Sequence, residues 1–216
     1  MQSEKIPGIH RKENTRRKQI LDAAMAMFLK KGFNGATTKE IAREAGVAEG
    51  TIYRYFKNKK ELLLALAEPD IVKSLTDIIH EVSGQTDEIV FKAVIKNRLD
   101  TIKEKKDLIR LLLTEAQFHP EIKEKFVERI VLKAAAVLEG VIEERVEGGF
   151  YRAIDPQIAA RAFVGMIGVF VIWKEYLLAD KYVSFNDEDV INGVVGIFLN
   201  GVRKTKEKGD ANEFFK

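Results

Sequence analysis

There is no cysteine in this chain of 216 residues, so disulfides, thiolate metal sites and a cysteine nucleophile are excluded, while a reducing compartment is permitted. Histidine occurs three times, as His10, His80 and His119, in no spacing that a metal site uses, so exposure or a structural role accounts for each. Apolar runs are short. The longest, Ala162 to Trp173, falls below the roughly 20 residues that cross a bilayer and reads as a buried helix. The N-terminus is polar and basic and lacks the apolar core of a signal peptide, which predicts a cytoplasmic protein without membrane association. Also missing are the glycine-rich nucleotide-binding loops, the G-x-S-x-G nucleophile elbow and the H-E-x-x-H zinc motif. Their absence predicts no enzyme, no cofactor and no bound metal.

With 46% hydrophobic and 32% charged residues and only four prolines, the composition is that of a helix-rich globular protein. Its charge is divided unevenly. Residues 1–60 hold 14 Lys/Arg against 6 Asp/Glu, and the remainder 22 against 27. A basic head on a mildly acidic body suits contact with a polyanion, because neutralised phosphates supply most non-specific nucleic-acid affinity. A solvated basic arm would carry the same charge.

Periodicity predicts helix throughout, with no repeat and no sustained strand alternation. Ile20, Ala24, Met27 and Phe28 form the stripe of a first helix that ends at Gly32. Arg16, Arg17 and Lys18 then fall in its first turn, at the positive end of the dipole, a conflict that a phosphate would remove. Thr37-Thr38-Lys39-Glu40 is a capping box that starts a second helix, which can run only to Ala45 because Gly46 follows. A third short helix begins near Glu49 and holds Ile52 and Phe56. Asn58-Lys59-Lys60-Glu61 repeats the capping logic for a fourth, which Pro69 is expected to kink or break, and such a kink could transmit a conformational switch.

About five further helices follow. One carries Ile122, Phe126, Ile130, Ala134, Leu138 and Val141 and stops at Gly148-Gly149; one opens at Asp155-Pro156 and continues past Trp173; the last spans about Asp187 to Lys204. The tail after Lys208 has no stripe.

Two short helices joined by a glycine turn and braced by a preceding helix are the parts of a DNA-binding helix-turn-helix. Ile41, Ala42, Ala45, Val47 and Ile52 hold the crossing together. The third helix then offers Glu49, Thr51, Tyr53, Arg54 and Tyr55 away from its core face, as a recognition surface. Half-buried packing is the competing role for both tyrosines. Glu49 favours the helix dipole, its foremost role here, and could also accept from cytosine N4.

The stretch Ile20 to Leu66, centred on A-T-T-K-E-I-A-R-E-A-G-V-A-E-G-T-I-Y-R-Y-F-K-N-K-K-E-L, strongly resembles the tetracycline-repressor family of regulators. The resemblance covers about the first quarter of the chain; beyond it only length and helix order agree. It implies an all-α fold of about nine helices: a three-helix DNA-binding domain over residues 1–60 and a ligand-sensing, dimerising helical domain over 61–216. By position it implies phosphate contacts for Thr37 and Thr38 and base contact for Lys39. Glu49, Gly50, Thr51 and Tyr53 match base-facing and phosphate-facing positions, Tyr55 and Lys59 match backbone clamps, and Arg54 sits at a variable, often contacting position. One departure is Ala48, which stands where many members carry a serine cap.

The resemblance further implies a homodimer through the last two long helices, binding double-stranded DNA at a palindromic operator and released by a small molecule. Gly165, Gly168, Gly193, Gly196 and Gly201 suit such a dimer, since each glycine costs roughly 1 kcal/mol within a helix and needs a packing reason. A close helix crossing inside the chain would be another such reason. The ligand is expected among the fifth to eighth helices, lined by Phe91, Leu112, Phe118, Phe126, Phe163, Met166, Phe170 and Trp173, with Asn97, Arg110, Glu115 and Gln117 as polar contacts. That aromatic and aliphatic bias favours an elongated apolar or acyl-type ligand. A ligand-independent architectural DNA-binding protein is the alternative, and operator selection from random duplexes separates the two.

Overall fold

The computed structural model describes residues 7–177 and 179–204. The tail after Lys208 and the side chain of His10 lie outside that description. The described residues are helical nearly throughout: α1 (Pro7–Gly35), α2 (Thr38–Glu44), α3 (Glu49–Tyr55), α4 (Lys59–Glu81), α5 (Asp87–Glu104), α6 (Lys106–Phe118), α7 (Pro120–Phe126), α8 (Leu132–Glu147), α9 (Pro156–Val171) and α10 (Asp187–Val202). A π-turn, Val127–Val131, joins α7 to α8 without leaving the helix, so the single rod expected there exists with one bulge in it. A second π-turn, Ile172–Tyr176, prolongs α9. Tyr151 and Arg203 form an isolated antiparallel bridge, the one β pairing among the described residues.

Two compact units arise, and neither is one continuous stretch. Residues 1–73 and 101–133 make the first; 74–100 and 134–216 make the second. In the first, α1 buries Ile20, Ala24, Met27 and Phe28, the stripe expected from sequence, against Ile41 and Ala42 of α2, Ile52 of α3, and Leu62 to Leu64 of α4. Leu108 and Leu112 of α6 and Ile122 of α7 complete that core. In the second, Phe91 of α5, Phe163 of α9 and Phe198 of α10 meet with ring centroids 4.8 to 4.9 Å apart, surrounded by Val94, Ile95, Leu138, Ile142 and Val194.

Side-chain caps explain several of the helix starts. Thr37 accepts from the Glu40 amide, Asn58 from the Glu61 amide, and Asp155 from the amides of Gln157 and Ile158 ahead of the N1 proline. Replacing Asp155 with Ala leaves those amides to water, and the expected loss is about 1 kcal/mol in denaturant unfolding.

Three expectations need correction. First, α1 begins at Pro7, so Arg16, Arg17 and Lys18 lie in its third turn, beyond the reach of the N-terminal dipole, and the supposed charge conflict does not arise. Instead Arg17 lies over the Phe56 ring, 5.3 Å from its centroid. Second, α4 runs unbroken through position 69, so the proline removes one amide donor without ending the helix.

Third, α9 is not a buried helix. Its apolar stretch extends over Pro156–Lys174, 19 residues that are long and apolar enough to cross a membrane by length and composition, and only 22% of it is buried. Ala159, Ala160, Phe163 and Ile167 face the core, while Ile158, Val164, Val169 and Ile172 are exposed. Arg161, which pairs with Glu139 at 2.8 Å, interrupts that outer face with a charge costly to place in lipid.

Candidate nucleic-acid interface

The reading surface is built by a corner, a cap and a turn. At the corner, Gly32 adopts φ +71° and ends the regular course of α1, a conformation that side chains other than glycine rarely take. Thr37 then caps α2 in a full capping box: its hydroxyl accepts from the Glu40 amide, and the Glu40 carboxylate accepts from the Thr37 amide at 3.2 Å. Lys31 of α1 holds the same carboxylate at 2.5 Å. The bond from Lys31, then those from the Thr37 amide and hydroxyl, hold Glu40 down to about 2.

A testable pH dependence follows. Because the folded-state value is depressed, the stabilisation is whole above about pH 4.5 and is lost as pH falls through about 2. Acid titration of the melting temperature should therefore flatten over that window in Glu40→Gln, and an unchanged profile would refute the link.

Gly46, at φ +64°, makes the turn from α2 to α3, and the Val47 amide returns to the Ala42 carbonyl at 2.9 Å. Ala48 begins α3 with no side-chain cap, as its identity dictates. Ile41, Ala42, Ile52 and Phe56 are buried beneath this pair of helices. That leaves Thr37, Lys39, Gly50, Tyr53 and Arg54 exposed, and Thr38, Glu49, Thr51 and Tyr55 half-buried beside them. Arg43 and Lys57, cations that the motif did not single out, are exposed as well.

The alternatives left open by sequence now separate. Tyr53 is 51% exposed, too open for a packing role, whereas Tyr55 packs against the core of the first unit with Arg54 lying 5.2 Å over its ring. Glu49 stands in the first turn of α3, where its charge suits the dipole, and its carboxylate accepts from the Thr38 hydroxyl at 2.6 Å; the same hydroxyl lies 3.0 Å from the Tyr53 phenol.

Lys59, placed by sequence among the backbone clamps, points inward. Its ammonium donates to the carbonyls of Phe33 at 2.6 Å, Ala36 at 2.9 Å and Asn34 at 3.4 Å, and sits 4.6 Å from the Phe33 ring centroid. Burial lowers its pKa from the ordinary lysine value, opposed by the charge of Glu115 on α6. Phe33 is the hub here, touched also by Phe28 and edge-on by His119, which itself pairs with the buried Glu115 at 3.4 Å. Sequence missed Phe33 and Lys31 because both stand beside the helix-ending glycine, outside the periodic stripe.

The twelve residues expected at a ligand site are divided between the two units. Phe91 and Phe163 are sealed in the core of the second unit, with Met166 and Phe170 packed against it. Asn97, half-buried, accepts from the Arg98 Nε at 3.2 Å; burial pushes that guanidinium down to about 10. Leu112 lies in the core of the first unit and Phe126 at its edge. Arg110 is exposed, and Phe118, on the last turn of α6, is 73% exposed. Of the further polar contacts, Glu115 is buried in the first unit and Gln117 is exposed. Trp173 and Phe170, with Val169, Val183 and Phe185, line an apolar cavity of about 300 Å³ that is open to solvent. Within it the indole donates to the Val183 carbonyl at 3.0 Å, and the rings of Phe170 and Phe185 meet edge-on at 5.5 Å.

Similarity to known proteins agrees with this geometry. Residues 20–66 match the family described as "Bacterial regulatory proteins, tetR family", and residues 92–201 match "AefR-like transcriptional repressor, C-terminal domain". The chain is 35% identical over 200 residues to the uncharacterized HTH-type transcriptional regulator YerO of Bacillus subtilis (strain 168), covering 88% of this chain and 69% of that one. It is 25% identical over 189 residues to the fatty acid metabolism regulator protein of the same organism, covering 85% and 94%. A crystal structure of the transcriptional regulator FadR from Bacillus subtilis in complex with stearoyl-CoA superposes with a TM-score of 0.68 at 25% identity, covering 86% of this chain and 99% of that one.

Proposed function

Because this chain belongs to the tetR family of bacterial regulatory proteins, DNA-binding regulators of transcription rather than enzymes, we propose that it is a cytoplasmic, homodimeric repressor released from a palindromic operator by a small apolar ligand. The observation that carries the reading is the braced pair α2 and α3, whose apolar side is buried while Lys39, Gly50, Tyr53 and Arg54 stand outward. Thr51 and Tyr53 reach base edges, and Arg54 can pair bidentately with guanine. Thr37 and Tyr55 serve the phosphates. The exposed Lys39, Arg43 and Lys57 supply the salt-sensitive attraction.

Support for dimerisation comes from the second unit. Its exposed apolar side chains include Ile158, Val164, Val169 and Ile172 of α9 and the turn after it and Ile197 of α10, the kind of surface that a protein–protein contact covers. Two modules so joined read half-sites about 34 Å apart or more.

An apolar ligand is supported by the cavity that Phe170 and Trp173 share, and by the relative whose structure contains stearoyl-CoA. Release requires the ligand to favour one spacing of the reading heads over the other.

Selection from a random duplex library at moderate salt tests the proposal. A recovered two-fold symmetric sequence, from which long-chain acyl thioesters displace the protein, supports it. Binding without any sequence preference would instead indicate an architectural DNA-binding protein.

A further inference from the structure

Cations predominate on the surface of α2 and α3, but carboxylates stand there too, and one of them, Glu49, is held in place by neighbouring side chains. Lys39, Arg43, Arg54 and Lys57 are exposed on or beside α2 and α3, yet Glu49 makes no ion pair among the described residues. Its Oε1 is held at 2.6 Å by the Thr38 hydroxyl. That hydroxyl has a single proton, which it gives to Glu49, so the Tyr53 phenol, 3.0 Å away, is the donor in the second bond. The three side chains form a directed relay from Tyr53 through Thr38 to Glu49, which spans α2 and α3 and fixes where the carboxylate sits.

A carboxylate aimed at DNA is repelled by phosphates and by every acceptor in the groove. Adenine offers the N6 donor beside the N7 acceptor; guanine offers two acceptors; thymine offers an acceptor and a methyl group. Cytosine alone presents N4 as a donor with no neighbouring acceptor. We propose that Glu49 is a specificity-determining residue that demands cytosine at one position of each half-site, and that Thr38 is its positioning residue rather than a phosphate contact. The relay leaves the Tyr53 oxygen free to accept, so the same pair of side chains can address a second base donor. In the unbound protein, Glu49 therefore keeps the Thr38 proton from any phosphate and lowers affinity for sequences that cannot repay the repulsion.

This inference rests on the reading of the chain as a DNA-binding regulator. It is tested with the full-length protein by parallel selection from random duplexes with wild type, Glu49→Gln, Thr38→Val and Thr38→Ser. Wild type should enrich cytosine at one symmetric pair of positions, with any other base there costing about ten-fold or more. Glu49→Gln should shift that position toward adenine, which glutamine pairs through N6 and N7. It should also bind non-cognate duplex a few-fold more tightly at low salt.

Thr38→Val should blur the preference at the same position alone, and Thr38→Ser should restore it, a pattern that loss of packing cannot produce. If wild type and Glu49→Gln select one and the same operator, the assignment of Glu49 is wrong while the regulator reading stands. If wild type selects no sequence at all, both fall together.

Discussion

Replacing Lys59 with methionine will lower the melting temperature by about 4–8 °C and leave the salt dependence of DNA binding unchanged. Methionine keeps the apolar stem over Phe33 and removes the ammonium, so the carbonyls of Phe33, Asn34 and Ala36 lose a shared charged donor. An unsatisfied buried carbonyl costs about 1–3 kcal/mol, and this corner is only partly buried, which puts the total near 2 kcal/mol. A phosphate clamp behaves in the opposite way: its removal lowers the salt slope by about one and leaves the fold alone. Thermal melts of the free protein, together with binding titrations at several salt concentrations, separate the two. A slope reduced by one with an unchanged melting temperature would return Lys59 to the set of DNA contacts. The corner also carries the position of Thr37, so a general loss of affinity across all sequences should accompany the loss of stability.

Lys59 shows where sequence reasoning stops. Capping boxes, glycine turns and apolar stripes are local, since each is decided by residues within about four positions, and those features placed the starts of α2, α3 and α4 and the two long final helices, but neither the start of α1 nor the unbroken course of α4 through position 69. What Lys59 touches is set by a contact 26 residues away, and nothing in its own neighbourhood distinguishes an inward lysine from an outward one. The same holds for Glu49, whose partner Thr38 lies 11 residues earlier on another helix.

Aromatic residues posed a second difficulty. Phe91, Phe118 and Trp173 look alike in a helical stripe, yet one is core, one is solvent-exposed and one lines a cavity. Which of these applies depends on how far a stripe wraps around its helix and on which elements pack against it within its own unit, and a single sequence encodes neither. The uneven division of charge along the chain, by contrast, was informative because an exposed cation needs no partner to be recognised.

Ile197→Glu should convert the protein to a monomer and reduce operator affinity by two orders of magnitude or more, since each module would then bind a half-site without the effective concentration that its twin supplies. Ile197 is 69% exposed on α10, between Gly193 and Gly201, and a carboxylate there would be buried without a partner in any dimer that uses this face. The glycines supply an independent argument. Helical glycines cost roughly 1 kcal/mol each, and a crossing within the chain would justify them only if a side chain had no room. Yet a Cβ placed on Gly165, Gly168, Gly193, Gly196 or Gly201 meets nothing within 4 Å. Packing among the described residues therefore does not require them, which is consistent with the proposed contact to a second copy. Gly193→Ala should accordingly favour the helix of the isolated chain while weakening association, a combination of opposite signs that no intrachain role yields. Sedimentation at micromolar concentration decides the matter: a variant with Glu at position 197 that stays dimeric would move the interface elsewhere on the second unit.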